Sequence, residues 1–387
     1  MVQTLHWLAS LAPTRLTGTP AEKAVQQAIA DALVPLGYRA DWTPFRFPRH
    51  IYGLLALHFG LALGLVGLAP FAPLVAGLLH LFLALSFYSE AVLRRPLLRA
   101  LWPHVATQNV LLTWPARTTM RKRVLLLAHV DSAFTGFMFQ PAVLKQIAKP
   151  PPRFLPFLRK QLFLPWLSLL GLAAIELGSP LLSAPPWLSW VLALPSVPVF
   201  LFNVDILLRN QVVPGAADNL SGCAAQLVLA ERWAKAAEDD VEVVFGFTGA
   251  EEAGTGGAAH LARTAGFSPA DTEVVVLDTL SNGTLFLLEE GELFRVPIPA
   301  GLRDAAHAAA RDAGQPVPRD YPVPAGGTDA LPFLVAGYRA LALTCIDPEQ
   351  HAPRNYHHPN DTADRVDPEQ LRASTEVAHH LLRRLAR

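Results

Sequence analysis

Residues 51 to 92, IYGLLALHFGLALGLVGLAPFAPLVAGLLHLFLALSFYSEAV, contain no lysine or arginine and are split by Pro70 and Pro73. The run has room for two spans of about 20 residues, the length that crosses ~30 Å of hydrocarbon. Residues 161 to 208, split by GSPLLSAPP, have room for two more. Helices lying flat on a membrane would show a charged face, and neither stretch shows one. The expectation is therefore two transmembrane helical hairpins, at 51–93 and 161–208. They interrupt a domain whose parts are 1–50, 94–160 and 209–387. His58, His80 and Glu176 fall within or near the hairpins. An ionisable group at membrane depth is a functional candidate by default, but each of these is isolated and reads as facing another helix.

The flanks set the expected topology. Arg46, Arg49, Arg94, Arg95 and Arg99 bracket the first hairpin, and Lys149, Arg153, Arg159, Lys160 and Arg209 bracket the second, whereas neither tip carries Lys or Arg. This bias places the flanks, and the catalytic domain with them, on the cytoplasmic face of an integral membrane protein with four transmembrane helices. An even number of spans in each insertion returns the chain to the same side, so the three parts can fold together. The N-terminus, MVQTLHWLASLAPTRLTG, has no basic region ahead of its short apolar stretch and reads as no secretory signal.

Outside the hairpins, short apolar runs alternate with helical periodicity. NVLLTW, RVLLLAHVDS, VEVVFGFTG, TEVVVLDTL and RALALTCID read as strands. AEKAVQQAIADALVPL, SGCAAQLVLAERWAKAAE, GGAAHLARTAG, AGLRDAAHAAARDAG and PEQLRASTEVAHHLLRRLAR read as helices. Such alternation implies an α/β fold, a three-layer αβα sandwich with a mostly parallel central sheet. The 32 basic and 32 acidic residues form no block that could track a phosphate backbone, so nucleic acid is excluded as a partner. Cys223 and Cys345 are too few for a disulfide framework, and no CxxC spacing suggests a structural zinc.

Parallel sheets bind ligands at the carboxyl ends of their strands. Polar residues stand just past the apolar runs: His129 and Asp131 after RVLLLA, Glu251 and Glu252 after VEVVFGFTGA, and Asp278 after TEVVVL. Asp218 lies in VPGAADNLSG, and His357 and His358 in NYHHPNDTADRVD. Each cluster alone could be a turn or a helix cap. Together they supply imidazoles and carboxylates without thiolates, a set that suits one or two Zn2+, with Mn2+ or Co2+ as alternatives.

HVDS, GAADNLSG, GAEEAG, VVLDTL and HHPNDT, in that order, resemble the motifs of the M28 family of co-catalytic zinc aminopeptidases, which also includes glutaminyl cyclases. The resemblance covers the chain outside the hairpins and implies a zinc-peptidase-like fold. It implies that His129, Asp218 and Asp278 bind one metal and that Asp218, Glu252 and His357 bind the other, with Asp218 bridging. His357 rather than His358 is the ligand because the family's histidine stands four residues before the Asp of its DT pair, here Asp361. It also implies a cis peptide between Asp218 and Asn219. Asp131 would hold the His129 imidazole in its ligating tautomer, and Glu251 would take a proton from a water between the ions and deliver it to the leaving amine.

The expected activity is a membrane-bound, metal-dependent aminopeptidase with two Zn2+. Its partners would be short peptides or proteins with a free N-terminus, and the lipid bilayer. A glutaminyl-cyclase-like acyltransferase is the alternative, although such cyclases typically use one zinc and lack the full ligand set retained here. A catalytically inactive membrane binding module of the same fold is another. The chain departs from the family at GGTDALPF, where Thr328, Asp329 and Ala330 replace a Ser-Asp-His type of group, and only Tyr321 and Tyr356 lie near the position of an assisting tyrosine. Gly254, Gly256 and Ala259 also form the skeleton of a dinucleotide-binding turn. A pyrophosphate there would meet Glu251 and Glu252, so the glycines read instead as room for a tight turn close to the metals.

Overall fold

The computed structural model describes residues 1–151, 160–181 and 185–387; Arg153 and Arg159 of the flanking charges lie outside them. Helices α1 (Val2–Leu11) and α2 (Pro20–Leu33) and strand β1 (Arg39–Pro48) precede the first apolar stretch, which forms α3 (Tyr52–Leu68) and α4 (Pro73–Ala91). Strands β2 (His104–Trp114) and β3 (Lys122–His129) and a short α5 (Pro141–Ile147) lead to the second stretch, which forms α6 (Phe163–Leu177), α7 (Pro186–Ala193) and α8 (Ser196–Arg209). The chain continues through α9 (Ser221–Lys235), β4 (Val241–Thr248), α10 (Gly256–Thr264), β5 (Thr272–Leu277), β6 (Thr284–Glu289), α11 (Ala300–Asp312), β7 (Arg319–Pro322), α12 (Ala330–Val335), β8 (Arg339–Ile346) and α13 (Pro368–Ala386).

The strands form one sheet in the order β1-β2-β4-β3-β5-β8-β6-β7. The central four, β4, β3, β5 and β8, run parallel. The margins make the sheet mixed, because β1 pairs antiparallel with β2, β2 with β4, and β6 with β8. The sequence reading lacked α1, β1, α5, β6, β7 and α12. The RADWTPFRFP run of β1 carries two prolines, which only an edge strand tolerates, and most of its residues are half-buried or exposed.

Alternation along the central strands divides the core. Val124, Leu126 and Ala128 of β3 face a cluster shared with α1, α2, α9, α11 and α13. Leu125 and Leu127 face the opposite cluster, shared with α10 and α12. Two covered faces explain why β3 reads as a continuous apolar run.

The apolar stretches fold as helices, but the expected two transmembrane hairpins, with four spans, are not supported. Among the described residues only α4, with 19 residues, is long and apolar enough to cross a membrane alone. The bent pair α7 and α8, at 50°, could count as one broken span. The prolines near residue 70 and the Gly178–Pro180 turn end α3 and α6 early. At 1.5 Å per residue, the 15 residues of α6 cover only ~23 Å of a ~30 Å hydrocarbon layer. Leu74, Leu78, Phe82 and Leu85 of α4, Trp187 and Trp190 of α7, and Leu201 and Leu208 of α8 are exposed.

His58, His80 and Glu176 are not isolated. His80 on α4 meets Glu176 on α6, with Nδ1 to Oε2 at 2.6 Å, and its Nε2 lies 3.0 Å from the Ala62 carbonyl. His58 lies between the Leu54 carbonyl and the Ser86 hydroxyl, at 2.9 and 3.0 Å. α4 thus packs on α6, and α3 on α8.

Candidate metal centre and active site

Because β3, β4 and β5 are parallel and in register, their carboxyl ends deliver side chains to one place. His129 is the last residue of β3, Glu251 and Glu252 stand in the turn after β4, and Asp278 follows β5 directly. Asp218 lies in an irregular turn, residues 216–220, ahead of α9, and its peptide bond to Asn219 is cis. His357 comes from the loop between β8 and α13.

These residues converge. His129 Nε2 lies 3.1 Å from Asp218 Oδ1 and 3.9 Å from both Asp278 Oδ1 and Glu251 Oε2. His357 Nε2 lies 3.4 Å from Asp218 Oδ2 and 3.1 Å from Glu252 Oε2. Two sets of three donors result, His129 with Asp218 and Asp278, and Asp218 with Glu252 and His357, each with its ligand atoms within 4.8 Å of one another. Asp218 belongs to both. A third grouping joins His129 to Glu251 and Glu252. His358 is directed elsewhere, with its Nδ1 accepting from the Asn360 amide at 3.2 Å.

The supporting contacts explain how the chain holds this geometry. Asp361 accepts the backbone N–H groups of Ala217 and Asp218, at 2.8 and 3.0 Å. Asn219 donates to the Leu277 carbonyl at 2.8 Å and accepts from the Thr279 amide at 3.0 Å, tying the Asp218 turn to the end of β5. Asp131 differs from the expectation. Its carboxylate stands 3.8 Å from His129 Nδ1, which instead lies 3.1 Å from the Asp131 backbone carbonyl. The carboxylate accepts the amides of Glu251 and Glu252, at 3.0 and 3.1 Å, and the Thr17 hydroxyl at 3.0 Å. Asp131 therefore shapes the turn that presents both glutamates.

The glycines after Glu252 make the tight turn expected of them. Gly254 has φ +114°, and a Cβ on Gly256 would stand 2.7 Å from the Phe47 ring. Gly254 thus lets the chain turn directly after the two glutamates, and Gly256 lets the turn pack against β1.

Two residues of the site, Arg15 and Tyr52, carry no signal in the sequence. Arg15 is fully buried, and its guanidinium donates to the carbonyls of Val130, Pro214 and Gly215 at 2.7, 2.8 and 2.8 Å. It joins the segment after His129 to the one before Asp218. Tyr52, the first residue of α3, brings its hydroxyl 3.5 Å from His357 Nδ1. Asp329, buried at the start of α12, accepts from Thr248 Oγ1 at 2.5 Å. An apolar run preceded by a lone Tyr or Arg offers nothing to separate these roles from packing.

The electrostatics are those of a site short of positive charge. Burial pushes the Asp278 carboxyl up to about 7, with Asp218 adding to the shift. Burial raises Glu251 well above its ordinary value, and the charges of Asp329 and Glu252 push in the same direction. Asp218 behaves oppositely. Burial disfavours its charge, but hydrogen bonds from His129 and His357 outweigh burial and hold it below the usual carboxylate range. For His357, burial opposes protonation and Glu252 and Asp218 overcome it, raising the imidazole to about 10. Protons on the histidines thus stand where cations would neutralise the carboxylates. Glu252 Oε1 is buried with no hydrogen-bond partner among the described residues. A free buried carboxylate oxygen within a His and carboxylate donor set fits a zinc ligand.

Residues 198–382 match the model of Peptidase family M28, a span that contains every donor above except His129. Solved structures share the fold. A glutaminyl cyclase from Porphyromonas gingivalis is 12% identical, with 99% of this chain and 96% of that one aligned at a TM-score of 0.58. A Zn-dependent exopeptidase from Parabacteroides distasonis is 14% identical, with coverage of 98% and 94% and a TM-score of 0.57. A zinc aminopeptidase from Bacillus subtilis is 14% identical, with coverage of 98% and 93% and a TM-score of 0.58. No curated protein matches the sequence. Residues 198–382 thus carry a peptidase family M28 domain.

Proposed function

We propose that the protein is a zinc-dependent aminopeptidase that binds two ions and releases the first residue of peptides with a free N-terminus. The observation that carries this reading is the pair of donor sets sharing Asp218, with Glu251 Oε2 3.9 Å from His129 Nε2. His129, Asp218 and Asp278 would hold one ion, and Asp218, Glu252 and His357 the other. When bound, the ions supply Lewis acidity that polarises the scissile carbonyl and acidifies a water. Glu251 takes the proton from that water at its carboxylate and passes it to the departing amine. Asp131 fixes the backbone from which Glu251 reaches the water, and Asp361 fixes that of Asp218.

We also propose that the apolar helices attach the protein to a membrane. The exposed Leu74, Leu78, Phe82 and Leu85 on α4 and Trp187 and Trp190 on α7 support this reading, because extensive exposed apolar surface is rare on a soluble monomer. The arginines and lysines flanking both stretches favour a cytoplasmic catalytic domain.

Protein purified in detergent should carry about two zinc ions per chain and cleave aminoacyl anilides, losing activity on chelation and regaining it with zinc. Glutaminyl peptides converted to pyroglutamyl peptides, without release of N-terminal residues from other peptides, would establish the cyclase instead.

A further inference from the structure

Helices α3, α4, α6 and α8 are seated on the catalytic domain at one end. α3 begins at Tyr52, whose hydroxyl lies 3.5 Å from His357 Nδ1. Just beyond α4, Arg94 donates to the Gly254 carbonyl at 3.1 Å and to Glu292 Oε1 at 2.6 Å. Ahead of α6, the Gln161 amide donates to the Pro324 carbonyl at 2.8 Å, and on α8 the Asp205 carboxylate accepts the Phe137 amide at 2.6 Å. At the other end the turns come together, where Ala72, Pro73, Leu74 and Val75 share one surface pocket with Ser179 and Pro180. Phe71 and Leu181 at these tips are 86% and 91% exposed.

Two features suit the tips to hydrocarbon rather than to water. Residues 69–75 and 178–187 contain no charged side chain. The backbone of the tips is also prepared for a solvent that offers no hydrogen bonds. Among residues 69–73 and 178–181, Pro70, Pro73 and Pro180 have no N–H to satisfy. The remaining amides, of Ala69, Phe71, Ala72, Gly178, Ser179 and Leu181, donate to carbonyls three or four residues back, at 2.8–3.3 Å. Unpaired polar groups are what otherwise exclude irregular backbone from a bilayer core.

The depth of the apolar surface decides how far it enters. On α4 the exposed apolar face runs from Leu74 to Leu85. That is about 17 Å at 1.5 Å per residue, against ~15 Å for one leaflet and ~30 Å for both. Nearer the domain, α4 carries Glu90, paired with Arg99 at 2.9 Å. The exposed Arg49 and Arg95 flank the bases of α3 and α4, a charge pattern suited to anionic headgroups.

We propose that these helices enter a single leaflet of a lipid bilayer from the side of the catalytic domain and end in its hydrocarbon without crossing, so that the protein is monotopic. The proposal rests on the membrane attachment proposed above and adds its depth. With α3 upright, the ~24 Å from Leu68 to Tyr52 places the donor sets about 10 Å beyond the hydrocarbon, just above the headgroups.

The test uses purified full-length Phe71→Cys protein with a fluorophore on the new thiol, reconstituted in phosphatidylcholine and phosphatidylglycerol vesicles doped with nitroxide lipid. Cys223 and Cys345 are fully buried, which leaves the introduced thiol as the reactive one. Quenching should be stronger with the nitroxide at the end of the acyl chain than on the headgroup, and the order should reverse for Arg95→Cys at the base of α4. Leu181→Cys serves as a second tip variant should Phe71→Cys fail to fold. Stronger quenching of the tips from the headgroup, as helices that cross the bilayer or lie on it would give, overturns the single-leaflet proposal and leaves attachment standing. Quenching of the tips by neither lipid overturns the proposal, and in protein that fails to float with the vesicles it overturns attachment as well.

Discussion

His80 on α4 and Glu176 on α6 meet with Nδ1 and Oε2 2.6 Å apart, both buried. The contact joins the two apolar insertions, which stand far apart in the chain. Removing one partner leaves the other buried without it, so His80→Ala and Glu176→Ala should each destabilise the protein by about 2–4 kcal/mol. The double variant His80→Leu/Glu176→Leu should recover much of the loss, because replacing both partners by apolar groups removes the unmet polar atoms. Denaturant unfolding in detergent of the singles and the double measures the difference.

Asp361 holds the backbone of Asp218 through two N–H groups. Asn at this position keeps one acceptor and turns a donor toward the other amide. Asp361→Asn should weaken zinc binding by about 10- to 100-fold while the fold persists. Competition against a chelator of known affinity reads this directly. Unchanged zinc affinity would remove Asp361 from the account of how the bridging carboxylate is placed.

Glu22 in α2 accepts from the Gly18 amide and from Thr107 Oγ1, yet burial pushes its carboxyl up to about 8, with Asp131 adding to the shift. Its folded pKa lies above its unfolded value of 4.5. Its contribution to stability is therefore full below about pH 4.5 and lost as the pH rises through about 8. Glu22→Gln abolishes the titration. The stability of wild type relative to Glu22→Gln should fall by a few kcal/mol between pH 5 and pH 9. A constant difference across that range, measured by denaturant unfolding, would contradict the assignment.

The sequence made the centre of the fold legible, and with it the donors. β3, β4 and β5 are buried on both faces, so each is a continuous apolar run, and the first polar residues past it, His129, Glu251 with Glu252, and Asp278, stand out. What depends on distant partners was not legible. Arg15 acts on carbonyls 115 to 200 positions away, and Tyr52 reaches a histidine 305 positions away. The apolar stretches revealed that they are helical but not the number or length of their helices, because prolines and glycines end α3 and α6 short of a full span. The contacts of Asp131 likewise depend on distant partners, the amides of Glu251 and Glu252 and the Thr17 hydroxyl.

The central claim is that Glu251 moves a proton in a site whose metal ligands are other residues. Its most direct measurement is zinc content and aminoacyl-anilide turnover of wild type and Glu251→Gln side by side. The account predicts the same zinc content in both and a loss of kcat of at least ~100-fold in the variant. Turnover retained within a few-fold, with zinc bound, would contradict it.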